Sequence, residues 1–268
     1  MTLAGKTAIV TGGARGIGRA IALAYLREGA SVFITGQTEE SVDKGIESLK
    51  AEFQNGRHGN GLHLSGAALD VRDTASVEKV VDAAAKELGK IDVLVNNAGR
   101  GGGGPTVDTP EKVWFDVIDV NLNGTYRMTR AVLARSGMLK QKWGRIINMA
   151  STGGKQGVQL AAAYTASKHG VVGFSKSLGL ELAKTGITVN AICPGFVETD
   201  LARTARDNYA KVWKIDAEEV LHRFEARIPI GRYVQPEEVA PLAVMLASDN
   251  SAAITAQAIN VCGGLGNY

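Results

Sequence analysis

The sequence predicts one α/β domain, built on a doubly wound parallel sheet of about seven strands with helices on both faces. Short apolar runs alternate with longer segments of helical periodicity along all 268 residues. The runs lack the alternation of apolar and polar residues that marks half-exposed strands, which indicates a parallel sheet covered on both sides. Right-handed crossovers between such strands give the doubly wound (Rossmann) arrangement. No repeat, linker or shift in composition divides residues 1–268 into two domains.

The predicted elements follow one another in a regular order. Each strand candidate is a short, mostly apolar run, and most are followed by a segment long enough for a helix. The strands are predicted at residues 7–11, 32–35, 67–71, 93–96, 145–149, 188–192 and 258–261. The main helices are predicted at residues 17–27, 39–53, 74–88, 111–134 and 163–184.

Two segments depart from this rhythm. Residues 55–66 are rich in glycine and contain two of the four histidines. A metal site there would need further ligands that the sequence does not place nearby, so we expect a solvated loop and predict no metal site. Residues 196–230 form a charge-rich helical stretch between the sixth and seventh strands. We expect this stretch to overhang the carboxyl ends of the strands, where open α/β sheets bind ligands, and to act as a substrate lid.

Composition narrows the classes of function. The formal net charge of +3 is close to balance, which argues against nucleic acid as the main partner but suits a phosphate-bearing ligand. Cys193 and Cys262 are far apart and form neither a disulfide framework nor a metal-ligand spacing, which indicates a reducing compartment. We recognise no signal peptide and no apolar stretch long enough to span a bilayer, so a cytoplasmic protein without a membrane partner is expected.

A glycine-rich turn, Thr11-Gly-Gly-Ala-Arg-Gly-Ile-Gly18, follows the first strand. Gly12, Gly16 and Gly18 allow a tight turn and a close approach of the backbone to a pyrophosphate. The helix that begins near Ile17 would supply unpaired N–H donors for the same anion. Glycines often simply close a strand-to-helix turn, but the position of this triplet after the first strand favours a dinucleotide site.

The charges near the second and third strands favour NADP(H) over NAD(H). An acidic residue ending the second strand would bind a ribose 2′-hydroxyl and repel a 2′-phosphate. Here the strand is followed by Gln37 and Thr38, and no acid occurs before Glu39. Arg15 in the glycine turn can reach the same place, although it could also be a solvated surface arginine. Asp70 and Val71 end the third strand and could cradle the adenine edge, although such aspartates often only cap the next turn.

Tyr164 and Lys168 are four residues apart on a predicted helix, so their side chains share one face. Tyrosine has a reference pKa of about 10, and a fixed positive charge beside it would favour the phenolate and lower that pKa. Ser151, thirteen residues upstream, could polarise a substrate carbonyl at the same place. Taken singly, these residues could equally be an interfacial tyrosine, a solvated lysine and a turn serine.

These motifs resemble those of the short-chain dehydrogenases/reductases over nearly the whole chain. The matching positions are the glycine triplet, Asn96-Asn-Ala-Gly99, Asn121, Ser151, Tyr164, Lys168, Pro194-Gly195 and Thr199. The resemblance implies that Tyr164 is the acid that protonates a ketone and that Ser151 is a second donor. It also implies that Lys168 tunes Tyr164 and binds the nicotinamide ribose, while Asn121 holds a water that links Lys168 to solvent.

The predicted cofactor site extends from the glycine turn to the end of the sixth strand. The residues expected to bind NADP(H) are Gly12, Arg15, Gly16, Ile17, Gly18, Gln37, Asp70, Val71, Asn97, Ala98, Gly99, Tyr164, Lys168, Pro194, Gly195, Val197 and Thr199. Gln37 departs from the family pattern, in which an arginine often helps to hold the 2′-phosphate.

Five segments show a narrower resemblance to the ketoreductases of aromatic (type II) polyketide pathways. They are residues 97–104, 150–157, 193–199, 228–236 and 260–268. That subfamily reduces one ketone of a poly-β-ketone on an acyl carrier protein, so the resemblance implies this substrate and a homotetramer. Gly101 departs from the subfamily, in which proline follows the residue at Arg100, and the longer 55–66 loop is a second departure.

Three other functions stay open. A 3-oxoacyl-[acyl-carrier-protein] reductase of fatty acid synthesis would perform the same chemistry on a simpler chain, and a reductase of a free small ketone or sugar comes next. A catalytically silent NADP-binding sensor or scaffold belongs to a different class. The intact set of Ser151, Tyr164 and Lys168 argues against that class, because a binding module has no need for a tuned acid.

Overall fold

Within residues 1–54 and 62–268, which the computed structural model describes, seven parallel strands form one sheet. In chain order they are β1 (Thr7–Val10), β2 (Ser31–Gly36), β3 (Leu64–Ala68), β4 (Val93–Asn96), β5 (Gly144–Met149), β6 (Ile187–Pro194) and β7 (Ala258–Val261). Their spatial order is β3-β2-β1-β4-β5-β6-β7, and every neighbouring pair is parallel. The predicted doubly wound sheet is therefore confirmed.

The helices of the described residues cover both faces of this sheet. They are α1 (Gly16–Arg27), α2 (Glu39–Gln54), α3 (Thr74–Leu88), α4 (Glu111–Ile118), α5 (Gly124–Arg135), α6 (Met138–Gln141), α7 (Ala162–Leu182), α8 (Asp200–Trp213), α9 (Ala217–Glu225) and α10 (Pro236–Ala247). None of these helices is long and apolar enough to cross a membrane.

Successive strand residues belong to two different cores. In β1, Ala8 and Val10 pack with the residues of α1, α2 and α10, whereas Ile9 packs with those of α3, α5 and α7. Alternate side chains of a strand point to opposite faces, and here both faces are covered. Because both faces are covered, the sequences of these strands are continuous apolar runs.

The position of β1 in the sheet locates the ligand crevice. β1 pairs with β2 on one side and with β4 on the other, so the strand order runs outward to β3 on one side and then reverses to β4 on the other side of β1. In open α/β sheets, ligands bind beyond the carboxyl ends of the strands at such a switch point. The glycine turn after β1 and the segment after β4 meet at this edge.

The predicted bounds of the third strand were wrong. The strand is Leu64–Ala68 rather than residues 67–71, because pairing with β2 aligns Leu64 with Val32 and Ala68 with Gly36, where β2 ends. A Cβ on Gly66 would lie 2.4 Å from the Ile34 carbonyl oxygen, so glycine permits this close pairing. Of the loop predicted at 55–66, residues 55–61 lie outside the described residues and residues 64–66 belong to β3.

The helix predicted at residues 111–134 is interrupted. A π-helical turn, Asp119–Asn123, separates α4 from α5. In such a turn one residue is inserted into the helical hydrogen-bond pattern, which an uninterrupted 3.6-residue periodicity does not reveal. The insertion places Asn121 inside the protein, where it is 1% exposed.

The segment predicted as a lid contains α8 and α9. Thr199 caps the N-terminus of α8, and its hydroxyl accepts a hydrogen bond from the Ala202 N–H (3.3 Å). A Cβ on Gly16 would lie 3.4 Å from Thr199 Cγ2, so the start of α8 borders the glycine turn. The segment has its own apolar cluster, in which Phe196 stacks between Phe224 and Tyr233 at centroid distances of 4.6 and 5.3 Å.

Candidate active site

The hydroxyl groups of Ser151 and Tyr164 meet at the carboxyl edge of the sheet. Ser151 follows β5, and its oxygen accepts a hydrogen bond from the Gly153 N–H (3.0 Å). Tyr164 lies in the first turn of α7, and its phenol is near enough to the Ser151 side chain for that hydroxyl to lower the pKa of the phenol. A Cβ on Gly153 would lie 3.5 Å from Tyr164 Cε1, so the turn after Ser151 packs closely against the tyrosine ring.

Lys168 lies one turn further along α7 and is buried, with 6% of its surface exposed. Its ammonium donates a hydrogen bond to the main-chain oxygen of Met149 (2.7 Å). The same Nζ is 5.7 Å from the centroid of the Tyr164 ring, and a Cβ on Gly99 would lie 3.7 Å from it. Lys168 is therefore enclosed by the end of β5, the tyrosine ring and the segment after β4.

Burial governs the titration of both groups. Loss of solvent raises the pKa of Tyr164 above its ordinary value, and the neighbouring Ser151 hydroxyl acts on this pKa in the opposite direction. Burial lowers the pKa of Lys168 to about 8. From the sequence we expected Lys168 to lower the pKa of Tyr164, but in this structure that pKa is raised. Burial destabilises the phenolate by more than the neighbouring groups stabilise it.

Asn121 joins the segment after β4 to α7. Its Oδ1 accepts a hydrogen bond from the Arg100 N–H (2.8 Å), and its Nδ2 donates to the Arg100 oxygen (3.0 Å) and to Ser167 Oγ (3.0 Å). A Cβ on Gly99 would lie 3.3 Å from Asn121 Oδ1. The π-helical turn thus places this amide against Gly99 and against Ser167, the residue before Lys168. Turns of this kind are frequent at functional sites.

The glycine turn is closed tightly against the segment after β4. Gly12 and Gly16 have φ angles of +62° and +54°, in the left-handed region that favours glycine. A Cβ on Gly18 would lie 2.4 Å from both the Gly12 oxygen and Asn97 Nδ2. Asn97 Nδ2 donates to the Thr11 oxygen (2.9 Å) and the Gly12 oxygen (3.2 Å).

This turn fits the pyrophosphate of a dinucleotide. Arg15 precedes α1 with extended backbone and makes no side-chain capping bond. The first N–H groups of α1, from Gly16, Ile17 and Gly18, are therefore left to a ligand. The glycines at these positions keep side-chain atoms out of the space that such an anion would occupy.

The residues predicted to meet the adenosine end are arranged differently from the expectation. Asp70 is bound by Arg72, whose Nε and Nη2 donate to its two oxygens at 2.9 and 2.8 Å, and this lowers the pKa of Asp70. Val71 is buried, and a Cβ on Gly124 would lie 2.8 Å from its Cγ2. The local bonds of Asp70 favour the alternative in which this aspartate stabilises a turn.

Arg15 and Gln37 are both exposed at the carboxyl edge of the sheet. The Arg15 side chain is 78% exposed, and its Nη1 lies 3.8 Å from Asp200 Oδ2 at the start of α8. A contact this open and this long leaves the guanidinium accessible to a stronger anion such as a phosphate.

The positions predicted on the nicotinamide side follow β4 and β6. Gly195 follows Pro194, the last residue of β6, and its N–H donates to the Val261 oxygen (3.0 Å). A Cβ on Gly195 would lie 2.9 Å from Cys262 Cβ. Val197 forms an isolated bridge with Val234, and the Ala98 N–H donates to Thr11 Oγ1 (2.9 Å). Thr199 caps α8, as described above.

Three residues that shape the site were not predicted from the sequence. Thr11 Oγ1 accepts from the N–H groups of both Asn97 and Ala98 (2.9 Å each) and so fixes the segment after β4. Ser167 binds Asn121, and Asp116 pairs with the guanidinium groups of Arg72 and Arg100. Thr11 could have been found from its position at the end of β1, but no local pattern marks the other two.

Among residues 1–54 and 62–268, no group of three or more His, Cys, Asp or Glu side chains could hold a metal ion. Over the same residues, Cys193 and Cys262 are free and buried. The predicted catalytic groups that lie together are the hydroxyls of Ser151 and Tyr164 and the ammonium of Lys168.

Comparison with known proteins gives several similarities that span the chain. A family model described as enoyl-(acyl carrier protein) reductase matches residues 12–266. A ketoacyl reductase ascribed to the monensin polyketide synthase of Streptomyces virginiae is 54% identical over 263 residues, which cover 98% of each chain. The 3-oxoacyl-[acyl-carrier-protein] reductase of Pseudomonas aeruginosa is 39% identical over 265 residues, which cover 99% of each chain.

A solved structure has nearly the same fold. A variant of the actinorhodin polyketide ketoreductase, crystallised with NADPH, matches with a TM-score of 0.92 and 50% sequence identity. The match covers 98% of each chain, so it includes the sheet, the glycine turn and the segment between β6 and β7.

Proposed function

The chain belongs to the short-chain dehydrogenase/reductase family, and we propose that it is an NADPH-dependent ketoreductase of polyketide synthesis. Its substrate would be a poly-β-ketone on an acyl carrier protein, and its product a secondary alcohol. The observation that carries the proposal is the buried Lys168 beside the Tyr164 ring, with the Ser151 hydroxyl and that ring meeting at Gly153. Burying a charge in this way is costly, and a purely structural lysine would not need a neighbouring phenol and hydroxyl.

The proposed reaction needs donors at one oxygen atom. When bound, NADPH supplies a hydride to the ketone carbon. Negative charge then develops on the carbonyl oxygen, and donors placed beforehand stabilise it. Because the Gly153 N–H occupies a lone pair of Ser151, the serine hydroxyl keeps its proton for donation. Tyr164 protonates the oxygen, which yields the alcohol.

Lys168 and Asn121 would restore the proton of Tyr164 after each turnover. With a pKa of about 8, the Lys168 ammonium is largely protonated at neutral pH and stabilises the phenolate that remains. The Asn121 amide borders the same space through Gly99, where a water could connect the ammonium to solvent. This relay assigns Asn121 a positioning function.

The cofactor would lie across the carboxyl edge of the sheet. Gly12, Gly16 and the N–H groups that begin α1 would hold the pyrophosphate, and Arg15 would bind the 2′-phosphate with Gln37 beside it. Asn97, Ala98 and Gly99 would border the nicotinamide ribose with Lys168. Pro194, Gly195, Val197 and Thr199 would cover the nicotinamide from the side of α8, so that residues 196–230 act as a lid.

The sequence similarities favour a polyketide over a fatty acid substrate. Identity is 54% to the ketoacyl reductase ascribed to monensin synthesis and 39% to the fatty acid enzyme of Pseudomonas aeruginosa. The second relative keeps 3-oxoacyl-[acyl-carrier-protein] reductase as the alternative function. Both reactions use the same donors, so the substrate decides between them.

NADPH oxidation with two substrates separates the functions. We expect turnover of trans-1-decalone, a bicyclic ketone, together with weaker turnover of a short acetoacetyl thioester. Activity on the thioester alone would contradict the polyketide substrate and support the fatty acid alternative. NADPH binding without turnover of either substrate would support a non-catalytic sensor instead.

The proposal includes a homotetramer in the cytoplasm. Trp114, Phe115 and Tyr126 on α4 and α5 are 38%, 60% and 51% exposed, and aromatic side chains are enriched at protein interfaces. The free, buried cysteines are compatible with a reducing compartment. Light scattering on the purified protein measures the assembly, and a monomer would remove the tetramer from the proposal.

A further inference from the structure

Ser151 is carried by a turn that has little rigidity of its own. The turn is a three-residue 3₁₀ helix, Thr152–Gly154, and two of its residues are glycines. Short 3₁₀ segments have poorer hydrogen-bond geometry than α-helices, and glycine adds conformational freedom. The position of the Ser151 hydroxyl therefore depends on what holds this turn from outside.

Lys155 directly follows the turn and joins it to the C-terminal segment. Its ammonium donates hydrogen bonds to the Ala258 oxygen (3.0 Å), to Asn260 Oδ1 (2.9 Å) and to the main-chain oxygen of Tyr268 (3.2 Å). An ammonium has three N–H donors, so these three acceptors satisfy it completely. Lys155 is only partly exposed, which strengthens charge-assisted bonds of this kind.

Tyr268 closes the connection from the other side. Its hydroxyl donates to the Thr152 oxygen (3.2 Å) inside the turn, and its ring lies 5.2 Å from Lys155 Nζ. The Asn260 side chain in turn donates through Nδ2 to the Gly266 oxygen (3.0 Å). The same segment of chain is thus bonded to both ends of the turn.

The sheet anchors this connection. Asn260 lies in β7 and pairs with Cys193 of β6, and the N–H of Ala150, the residue before Ser151, donates to the Ile192 oxygen of β6 (2.8 Å). Movement of the turn is therefore restrained by the paired strands β6 and β7.

We propose that Lys155, Asn260 and Tyr268 form a clamp that positions the Ser151 hydroxyl for donation to the substrate oxygen. None of the three touches the reacting atoms, so they are positioning residues, and the inference rests on the ketoreductase function proposed above. The clamp acts on the direction of the Ser151 hydroxyl and leaves cofactor binding unaffected.

The variant Lys155→Met removes all three bonds while keeping the length of the side chain. We expect kcat for trans-1-decalone to fall about 10-fold, because small misplacements of a catalytic group have effects of this size or larger. KM and the Kd for NADPH should stay within about 2-fold, since neither depends on donation in the transition state. Lys155→Arg, which keeps the cation, should recover most of the rate.

Lys176→Met is the matched control, because it removes an exposed lysine of α7 whose charge also acts on Cys193. We expect its kcat to equal that of the unchanged protein. In a Ser151→Ala background, Lys155→Met should lower kcat by less than about 2-fold, because its effect passes through Ser151. An undiminished 10-fold loss in that background, or no loss in the single variant, would overturn the clamp.

A second measurement does not depend on turnover. The Gly153 N–H is bonded to Ser151 Oγ, so its hydrogen exchange should accelerate in Lys155→Met and stay unchanged in Lys176→Met. Unchanged Gly153 exchange in Lys155→Met would also overturn the clamp. Failure of the unchanged protein to reduce trans-1-decalone would instead count against the proposed function, and the exchange result would still decide on the clamp.

Discussion

Lys168 illustrates how a residue with a proposed function can be kept at a cost to the stability of the fold. The residue is 6% exposed, and its ammonium has one hydrogen bond, to a main-chain oxygen, which replaces only part of its hydration. The pKa therefore falls from 10.5 to about 8. A group whose charged form is disfavoured by folding makes the stability of the protein depend on pH.

The sign of this dependence can be tested with Lys168→Met. Between pH 8 and 10.5 the unfolded lysine holds its proton while the folded one has lost it, so stability rises with pH. The cost is fully present below pH 8 and disappears near pH 10.5, and it amounts to about 3 kcal/mol for a shift of this size. Urea unfolding at several pH values should show the native protein gaining this amount relative to Lys168→Met. Parallel pH profiles for the two proteins would contradict the low pKa.

Tyr164→Phe tests the proposed acid at the same scale. The variant removes one hydroxyl and keeps the ring, so the Kd for NADPH should hardly change. We expect kcat for trans-1-decalone to fall about 10²- to 10⁴-fold, the usual contribution of a positioned acid. Tyr126→Phe, which removes an exposed hydroxyl on α5, should keep full activity. Substantial turnover by Tyr164→Phe would mean that another group donates the proton.

The sequence predicts residues of this site better than it predicts their partners. Tyr164 and Lys168 share a helix face through their four-residue spacing, and Ser151 is placed by the end of β5, so their convergence follows from local rules. Other contacts depend on how segments distant in sequence meet. Examples are the hydrogen bond from Lys168 to Met149 and the approach of Arg15 to Asp200. No local pattern records such contacts.

At the scale of elements, close packing of the turn after Ser151 against α7 is required to bring the donors together. A Cβ on Gly154 would lie 2.6 Å from the Lys168 main-chain oxygen, whereas a Cβ on Gly157 would meet nothing within 4 Å. Neither glycine has a positive φ angle. Backbone strain is therefore not expected at either position, and the effect of alanine depends on the space available for its Cβ.

Gly154→Ala should consequently destabilise the protein by about 1–3 kcal/mol, the usual result of overpacking. Gly157→Ala should stay within about 0.5 kcal/mol of the unchanged protein. Urea unfolding measures both values, and kcat of Gly154→Ala should fall because the turn and α7 must separate. Equal free energies of unfolding for the two variants would show that the turn can move away from α7 without loss of stability.

Among the strands, the bounds of β4 and of the edge strand β7 were predicted correctly, whereas those of the other edge strand, β3, were not. The bounds of β4 agree with the prediction, because both faces of that strand are covered and its apolar run is unbroken. The edge strand β3 is partly exposed along its length and pairs only with β2, so its position is set by pairing rather than by pattern. The π-helical turn at Asn121 adds a residue that helical periodicity cannot register.

At the scale of the whole molecule, the segment proposed as a lid (residues 196–230) differs from the sheet in how it is held. The two large cores lie on either face of the sheet, whereas Val220, Phe224, Ile228 and Tyr233 form a separate cluster between β6 and β7. Regions that rely on their own small core open locally at a lower free energy than the global one. The lid is therefore expected to move while the sheet stays folded.

Phe224→Ala tests this separation. Phe224 is 3% exposed and contacts the rings of Phe196, Tyr209 and Trp213 at centroid distances of 4.6, 5.0 and 5.8 Å. Loss of a buried phenylalanine typically costs about 3–5 kcal/mol, so hydrogen exchange within residues 200–225 should accelerate strongly. Exchange in β1, β4 and β5 should keep its protection, and KM for trans-1-decalone should rise with little change in the Kd for NADPH.

The exposed Val212 of α8 provides the control, since Val212→Ala removes apolar surface from the same helix without opening the aromatic cluster. Its exchange pattern and KM should match those of the unchanged protein. If Phe224→Ala instead released the sheet strands together with the lid, the two cores and the cluster would unfold as one unit. The lid could then not open without unfolding the site below it, and closure over the substrate would have to arise from smaller movements of α8.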